Sequence, residues 1–186
     1  MQNNILWSGI EYYSLENCIV ETTPDSVMIN SIIIGLYNET IYRVRYDIVL
    51  DNDWSTNSCI IEARINNQFK KIELVKDRGS WFLNGKIHPE FDGCSDVDIP
   101  LTPLTNSLPI NRLKLNVGDE AKVDIIYIDL LEDAIKHVKQ QYRRIKSDIF
   151  KYENIPNDFE AEIKLDSAGF VIDYPQLFKR KIRIQK

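Results

Sequence analysis

The sequence has only two histidines, three cysteines and seven scattered glycines, and each scarcity removes a class of chemistry. Cys18, Cys59 and Cys94 are odd in number and far apart, which fits reduced, packed thiols better than a disulfide framework. His88 and Cys94 supply at most two of the four ligands a zinc site needs, so no metal site is expected. Neither His88 nor His137 has a local partner to orient it, and no G-x-S-x-G elbow occurs, so no nucleophilic catalytic set is expected. The glycines sit singly in turns and form no phosphate-cradling loop, and no cofactor is expected. No stretch approaches the ~20 apolar residues that a spanning helix needs. The start, MQNNILWSGIEYY, has no basic region leading into an apolar run, so a cytoplasmic location is expected.

What is present is an ordinary globular composition, 44% hydrophobic and 27% charged, in 186 residues that fit one domain, 1–186. The net charge of −5 gives no case for nucleic acid as a partner. Lys179, Arg180, Lys181, Arg183 and Lys186 gather near the end and read as a solvated basic tail, one that allows peripheral contact with an anionic membrane surface.

Alternation of apolar and polar residues dominates the chain. Tyr42, Val44, Tyr46, Ile48 and Leu50 share one face of a strand, and Arg43, Arg45 and Asp47 share the other. Similar segments run through 58–66, 69–76 and 81–83, with Asn84-Gly85 as a hairpin signal, so the first 90 residues read as a meander. Ile32-Ile33-Ile34 is apolar on both faces, which implies that both faces are covered. Leu113, Leu115 and Val117 are expected to pair with Val123, Ile125 and Tyr127 across Gly118-Asp119. Phe159 to Leu165 alternates without a fault and returns through Phe170 to Tyr174, where Pro175 stops the ladder ahead of a short helix. Between Leu130 and Lys146 both helical and strand spacings fit.

The stretch from Asp92 to Leu115 breaks this rhythm. Pro100, Pro103 and Pro109 each fix φ and remove a donor, so neither a regular helix nor a central strand is expected there. An ordered clasp is expected instead, with Thr102, Thr105, Asn106 and Ser107 satisfying its peptide groups.

The wording D-G-C-x-D-V-D followed by T-P-x-T-N-x-L-P-I-x-R-L in this stretch resembles the putative glycolipid-binding family, a bacterial domain. The resemblance continues through Gln140-x-Tyr142, Asp166, Gly169, Asp173-Tyr174-Pro175 and Arg180. It reaches back through Trp7, Glu11, Gly35, Tyr46, Asp51, Trp54, Gly79 and Trp81. It implies a mainly β fold, a single curved antiparallel sheet forming an open half-barrel with little helix and a greasy concave face. It also implies a strand around Gln140-x-Tyr142, and about nine to eleven strands accommodate the alternating segments.

Three tryptophans and nine tyrosines give apolar bodies with polar tips, suited to an amphipathic small molecule or lipid. The expected ligand contacts are Tyr46, Trp54, Trp81, Asp96, Asp98, Asn106, Arg112 and Tyr142. The leading expectation is non-catalytic binding or carriage of a lipid-like or glycolipid-like molecule. An alternative is a small enzyme using Asp96 and Asp98, which share a side if extended and can then act as an acid and base pair. A protein-interaction module is a third reading.

Overall fold

A computed structural model describes residues 1–186. Eight strands form the first arm: β1 (Gln2–Gly9), β2 (Ser14–Thr22), β3 (Ser26–Tyr37), β4 (Thr40–Asp51), β5 (Thr56–Ile65), β6 (Gln68–Asp77), β7 (Ser80–Leu83) and β8 (Lys86–Ile87). A 3-10 turn at Pro89–Phe91 leads to β9 (Asp96–Asp98) and to the one α-helix, α1 (Leu104–Leu113). The second arm is β10 (Glu120–Asp129), β11 (Ala134–Arg144), β12 (Ile149–Ile155), β13 (Glu160–Leu165), β14 (Val171–Tyr174) and β15 (Phe178–Gln185).

All fifteen strands belong to one curved sheet in the order β8 to β1, then β15 down to β9, and it does not close into a barrel. Neighbours are antiparallel except β9, which runs parallel to β10. The first arm is the expected meander, and Asn84 and Gly85 both take positive φ at the β7–β8 turn, as a tight primed hairpin requires. The strands are more numerous than expected because β8 and β9 are only two and three residues long, too short for alternation to show, and β1 and β15 were not read as strands.

Several expectations are corrected. Leu113 ends a helix, and residues 114–119 form no strand, so β10 pairs with β11 across Leu130–Asp133 and not with 113–117. The segment around Gln140 is a strand, as the family resemblance implied. The basic run near the end is strand β15, not a loose tail or a short helix, and it pairs with β1 and β14.

A helix does form across the prolines. Thr102 accepts the Leu104 N–H at 3.0 Å and so serves the helix start in place of Pro103, which has no polar side chain. Pro109 removes the donor that would reach the Thr105 carbonyl, an irregularity that a ten-residue helix held on all sides tolerates. Lys114 then takes the left-handed conformation and ends it.

The reason is burial. Cys94, Val97, Ile99, Leu101, Leu104 and Leu108 pack into the same core as Trp7, Ile33, Tyr46, Ile61 and Trp81 of the first arm. A second core under the other arm joins Ile110 to Val123, Tyr142, Phe150, Ile163 and Tyr174. The concave face is therefore largely filled by the 94–113 segment itself, and the proline-rich sequence is the packing material of the half-barrel.

That segment also ties the two arms together. The Cys94 carbonyl accepts the Trp81 Nε1–H at 3.1 Å and the Lys76 ammonium at 3.1 Å, and the Ser95 carbonyl accepts the Thr56 N–H at 2.8 Å, while β9 pairs with β10. On β3, Ile33 is fully buried but Ile32 and Ile34 point outward and are exposed, so the expectation that both faces are covered is not met. No helix is long and apolar enough to cross a membrane.

Candidate functional site

A cleft of about 590 Å³ remains between the buried segment and the second arm, closed at one end by the β1–β2 turn. Its floor follows from the extended geometry of β9 and the first turns of α1. Asp98 is half-buried there, accepting the Thr105 hydroxyl at 2.7 Å and the Gln140 Nε2–H at 2.7 Å. The Tyr142 hydroxyl lies 3.1 Å from both Gln140 Oε1 and Asn106 Oδ1, which completes a network of five side chains on three elements. The Asn106 amide nitrogen makes no bond to protein and lines the cleft as a free donor.

Burial raises the Asp98 carboxyl above its ordinary value, against the opposing hydrogen bonds from Thr105 and Gln140. The carboxyl keeps acceptor capacity beyond its bonds to Thr105, Gln140 and the Ile99 backbone, so the floor offers an acceptor and a donor side by side.

One wall is a belt of rings. Tyr12 and Phe178 stack with centroids 5.8 Å apart, Phe178 meets Tyr174 at 6.2 Å, and Tyr174 meets Tyr152 and Phe159 at 6.4 Å each. Alternation on β12, β14 and β15 delivers these side chains to one face. Tyr12 reaches the belt from the β1–β2 turn, where its carbonyl accepts the Tyr42 hydroxyl at 3.1 Å. The Tyr42 ring lies across Gly35, where any Cβ would come within 2.4 Å of it, so the glycine makes room for that brace. The opposite wall holds Tyr127 and Val138, with the Lys136 ammonium 5.4 Å from the Tyr127 ring centroid. Glu11, Lys139 and Asp158 complete the charged lining.

Of the eight residues expected to contact a ligand, the structure brings Asp98 and Asn106 to the cleft. Tyr142 stands directly behind them. Asp96 faces α1 instead, fully buried, and the Arg112 guanidinium grips both its oxygens at 3.2 and 2.5 Å. Burial outweighs that cation and raises the Asp96 carboxyl. Tyr46 is buried in the first core, donating to Glu16 at 2.6 Å, and Trp81 is buried on the Cys94 carbonyl. Trp54 is half-buried against Phe170, with centroids 6.2 Å apart.

Gln140 and the belt of Tyr12, Tyr152, Phe159, Tyr174 and Phe178 were not among the expected ligand contacts, although Gln140 and Tyr174 belong to the motifs that carry the family resemblance. Their strands were legible, but nothing local indicates which alternating face meets open space. Glu16 was also missed. It occupies the inward row with Ser14, Cys18 and Val20, a position where alternation calls for an apolar residue. No group of three or more His, Cys, Asp or Glu is placed to hold a metal ion.

The fold has known relatives. A DUF1089 family protein from Pseudomonas aeruginosa superposes with a TM-score of 0.79 at 30% identity, covering 89% of this chain and 91% of that one. A β-barrel-like protein of DUF1849 from Brucella abortus, at 10% identity and a TM-score of 0.54, covers 98% of this chain and 96% of that one and shares the fold. No curated protein matches. The family described as "Putative glycolipid-binding" matches residues 4–180, and the chain belongs to that family.

Proposed function

We propose that the cleft binds an amphipathic molecule of lipid-like or glycolipid-like character without catalysing a reaction on it. One observation carries the reading: a continuous aromatic wall faces a floor where the Asp98 carboxylate and the free Asn106 amide sit together. Ring faces pack against hydrocarbon or the C–H face of a sugar, and an acceptor beside a donor suits adjacent hydroxyl groups. The family description points to the same ligand class. The acid and base alternative loses support because Asp96 is engaged by Arg112 and faces away from the cleft. Three buried, unpaired cysteines are in keeping with a reducing cytoplasmic setting.

Mass spectrometry of the organic extract of freshly purified protein tests the proposal, together with calorimetric titration of alkyl glycosides of increasing chain length. Each buried methylene contributes about 0.8 kcal/mol, so affinity should rise steadily with length. A flat response across the series, with nothing extracted, would sink it. Tryptophan fluorescence is a poor probe here because Trp7, Trp54 and Trp81 all lie outside the cleft lining.

A further inference from the structure

The outer face of β2, β3 and β4 carries apolar side chains that nothing in the fold covers. Leu15 stands directly across from Ile34, and Leu36 from Ile41, all outward and exposed, with Ile34 at 59% and Ile41 at 66%. Ile32 continues the row along β3. Contiguous apolar surface of this kind on a folded chain marks a contact site.

The same rows carry an arrangement that is unfavourable in isolation. Arg43 is directly opposite Arg64, and Ile34 is opposite Arg43 on its other side. Both arginines are exposed, and neither has a carboxylate partner, whereas Arg45 one row further on is paired with Asp47 at 3.3 Å and faces Glu62. Like charges placed opposite each other on a sheet repel. An external anion seated between two guanidinium groups reverses that sign, and bidentate phosphate is what such a pair is shaped to hold. Phe69 lies beyond Arg64, with the guanidinium 5.5 Å from its ring centroid, so the cations are flanked by apolar groups on both sides.

We propose that this face docks on an anionic lipid bilayer. Lipid phosphates lie over Arg43 and Arg64, and Leu15, Ile34, Leu36 and Ile41 enter the boundary between headgroups and acyl chains. Apolar burial and cationic attraction together are the two signals that stable peripheral binding needs. One residue beside the patch touches the cleft lining. Tyr37, next to Leu36, packs its ring 5.2 Å from that of Tyr12, which lines the cleft. Docking through this outer face is independent of what the cleft holds.

Cosedimentation with vesicles of phosphatidylcholine alone and of phosphatidylcholine mixed with phosphatidylglycerol tests it. Binding is expected to the anionic vesicles, to weaken with salt, and to fall roughly thirtyfold in Arg43→Ser/Arg64→Ser. Leu15→Ser/Ile34→Ser should weaken it as well, while circular dichroism shows both double variants folded. Asp98→Asn, in the cleft, should leave vesicle binding unchanged, which separates this surface from the cleft's ligand. No partition into anionic vesicles overturns the proposal. So does a wild-type dimer, seen by light scattering, that Leu15→Ser/Ile34→Ser converts to monomer, because the face would then be a contact between copies of this chain.

Discussion

The Glu16 carboxylate on β2 accepts the Thr102 hydroxyl at 2.9 Å, joining the sheet to the buried segment across 86 residues of sequence. The same oxygen, Oε1, accepts the Ser31 and Tyr46 hydroxyls at 2.7 and 2.6 Å, while Oε2 is buried without a partner. Burial outweighs the three hydroxyls and pushes the Glu16 carboxyl up to about 7. Because the folded state then holds a proton that the unfolded chain has released, the stability Glu16 contributes is fully present below the unfolded value of about 4.3 and is lost as pH rises toward 7. The loss is about 3 kcal/mol across that window. Urea midpoints measured between these limits should decline less steeply for Glu16→Gln than for the parent. Parallel profiles for the parent and Glu16→Gln would refute the assignment.

Arg112→Met should destabilise the fold by about 3 to 5 kcal/mol, because it leaves the fully buried Asp96 carboxylate without its guanidinium. Asp96→Leu combined with Arg112→Met should recover a large part of that loss. Thermal unfolding of the two variants separates the mechanisms: equal midpoints would mean that the pair is not coupled.

In the cleft, Asp98→Asn should weaken binding of an alkyl glycoside about tenfold or more, since a hydrogen bond to a charged group contributes about 1.5 to 3 kcal/mol. Phe159→Ala should weaken binding of long-chain ligands more than that of short ones, because the ring is 40% exposed and supplies contact more than core packing. Calorimetry on the chain-length series reads both effects, and an identical loss at every length for Phe159→Ala would contradict its place on the wall.

Asp166 holds β15 to its neighbours. It accepts Arg180 at 2.5 Å, Arg183 at 2.8 Å and the backbone N–H groups of Ala168 and Phe170 at 2.9 and 3.1 Å. Burial works against ionisation, yet the Arg180 guanidinium and the two amides hold the carboxyl below its ordinary value. Its stabilising effect is present above the unfolded value of about 3.9 and is lost as pH falls below it, opposite in sign to Glu16. Asp166→Ala should cost about 2 to 3 kcal/mol near neutral pH, read from urea unfolding, and progressively less in acid.

Much of the sheet was legible because alternation is a local property. Tyr42 to Leu50 and Phe159 to Leu165 state their faces within a few residues, and the β3–β4 and β12–β13 pairings follow from short turns. Helix α1 was illegible for the opposite reason. Its prolines argue locally against helix, and only the enclosure of Leu104 and Leu108 among side chains from distant strands outweighs them. The site divides in the same way. The Asp96–Asp98 pair was visible as a spacing, but which of the two carboxylates meets Arg112 depends on where α1 is carried. The aromatic belt forms only when β12, β14, β15 and the β1–β2 turn are all in place.

The pairing of β1 with β15 places the first and last strands side by side in the middle of the sheet, while the two edge strands, β8 and β9, are successive in sequence. During synthesis the first arm can curl and the second can begin to pair, but the seam between them has no partner until β15 leaves the ribosome. Closure is thus a late event made of long-range contacts, which predisposes the protein to slow completion of folding. It also exposes the free edges of β1 and β14 in any chain arrested before that point, making a truncated product an invitation to strand exchange between copies.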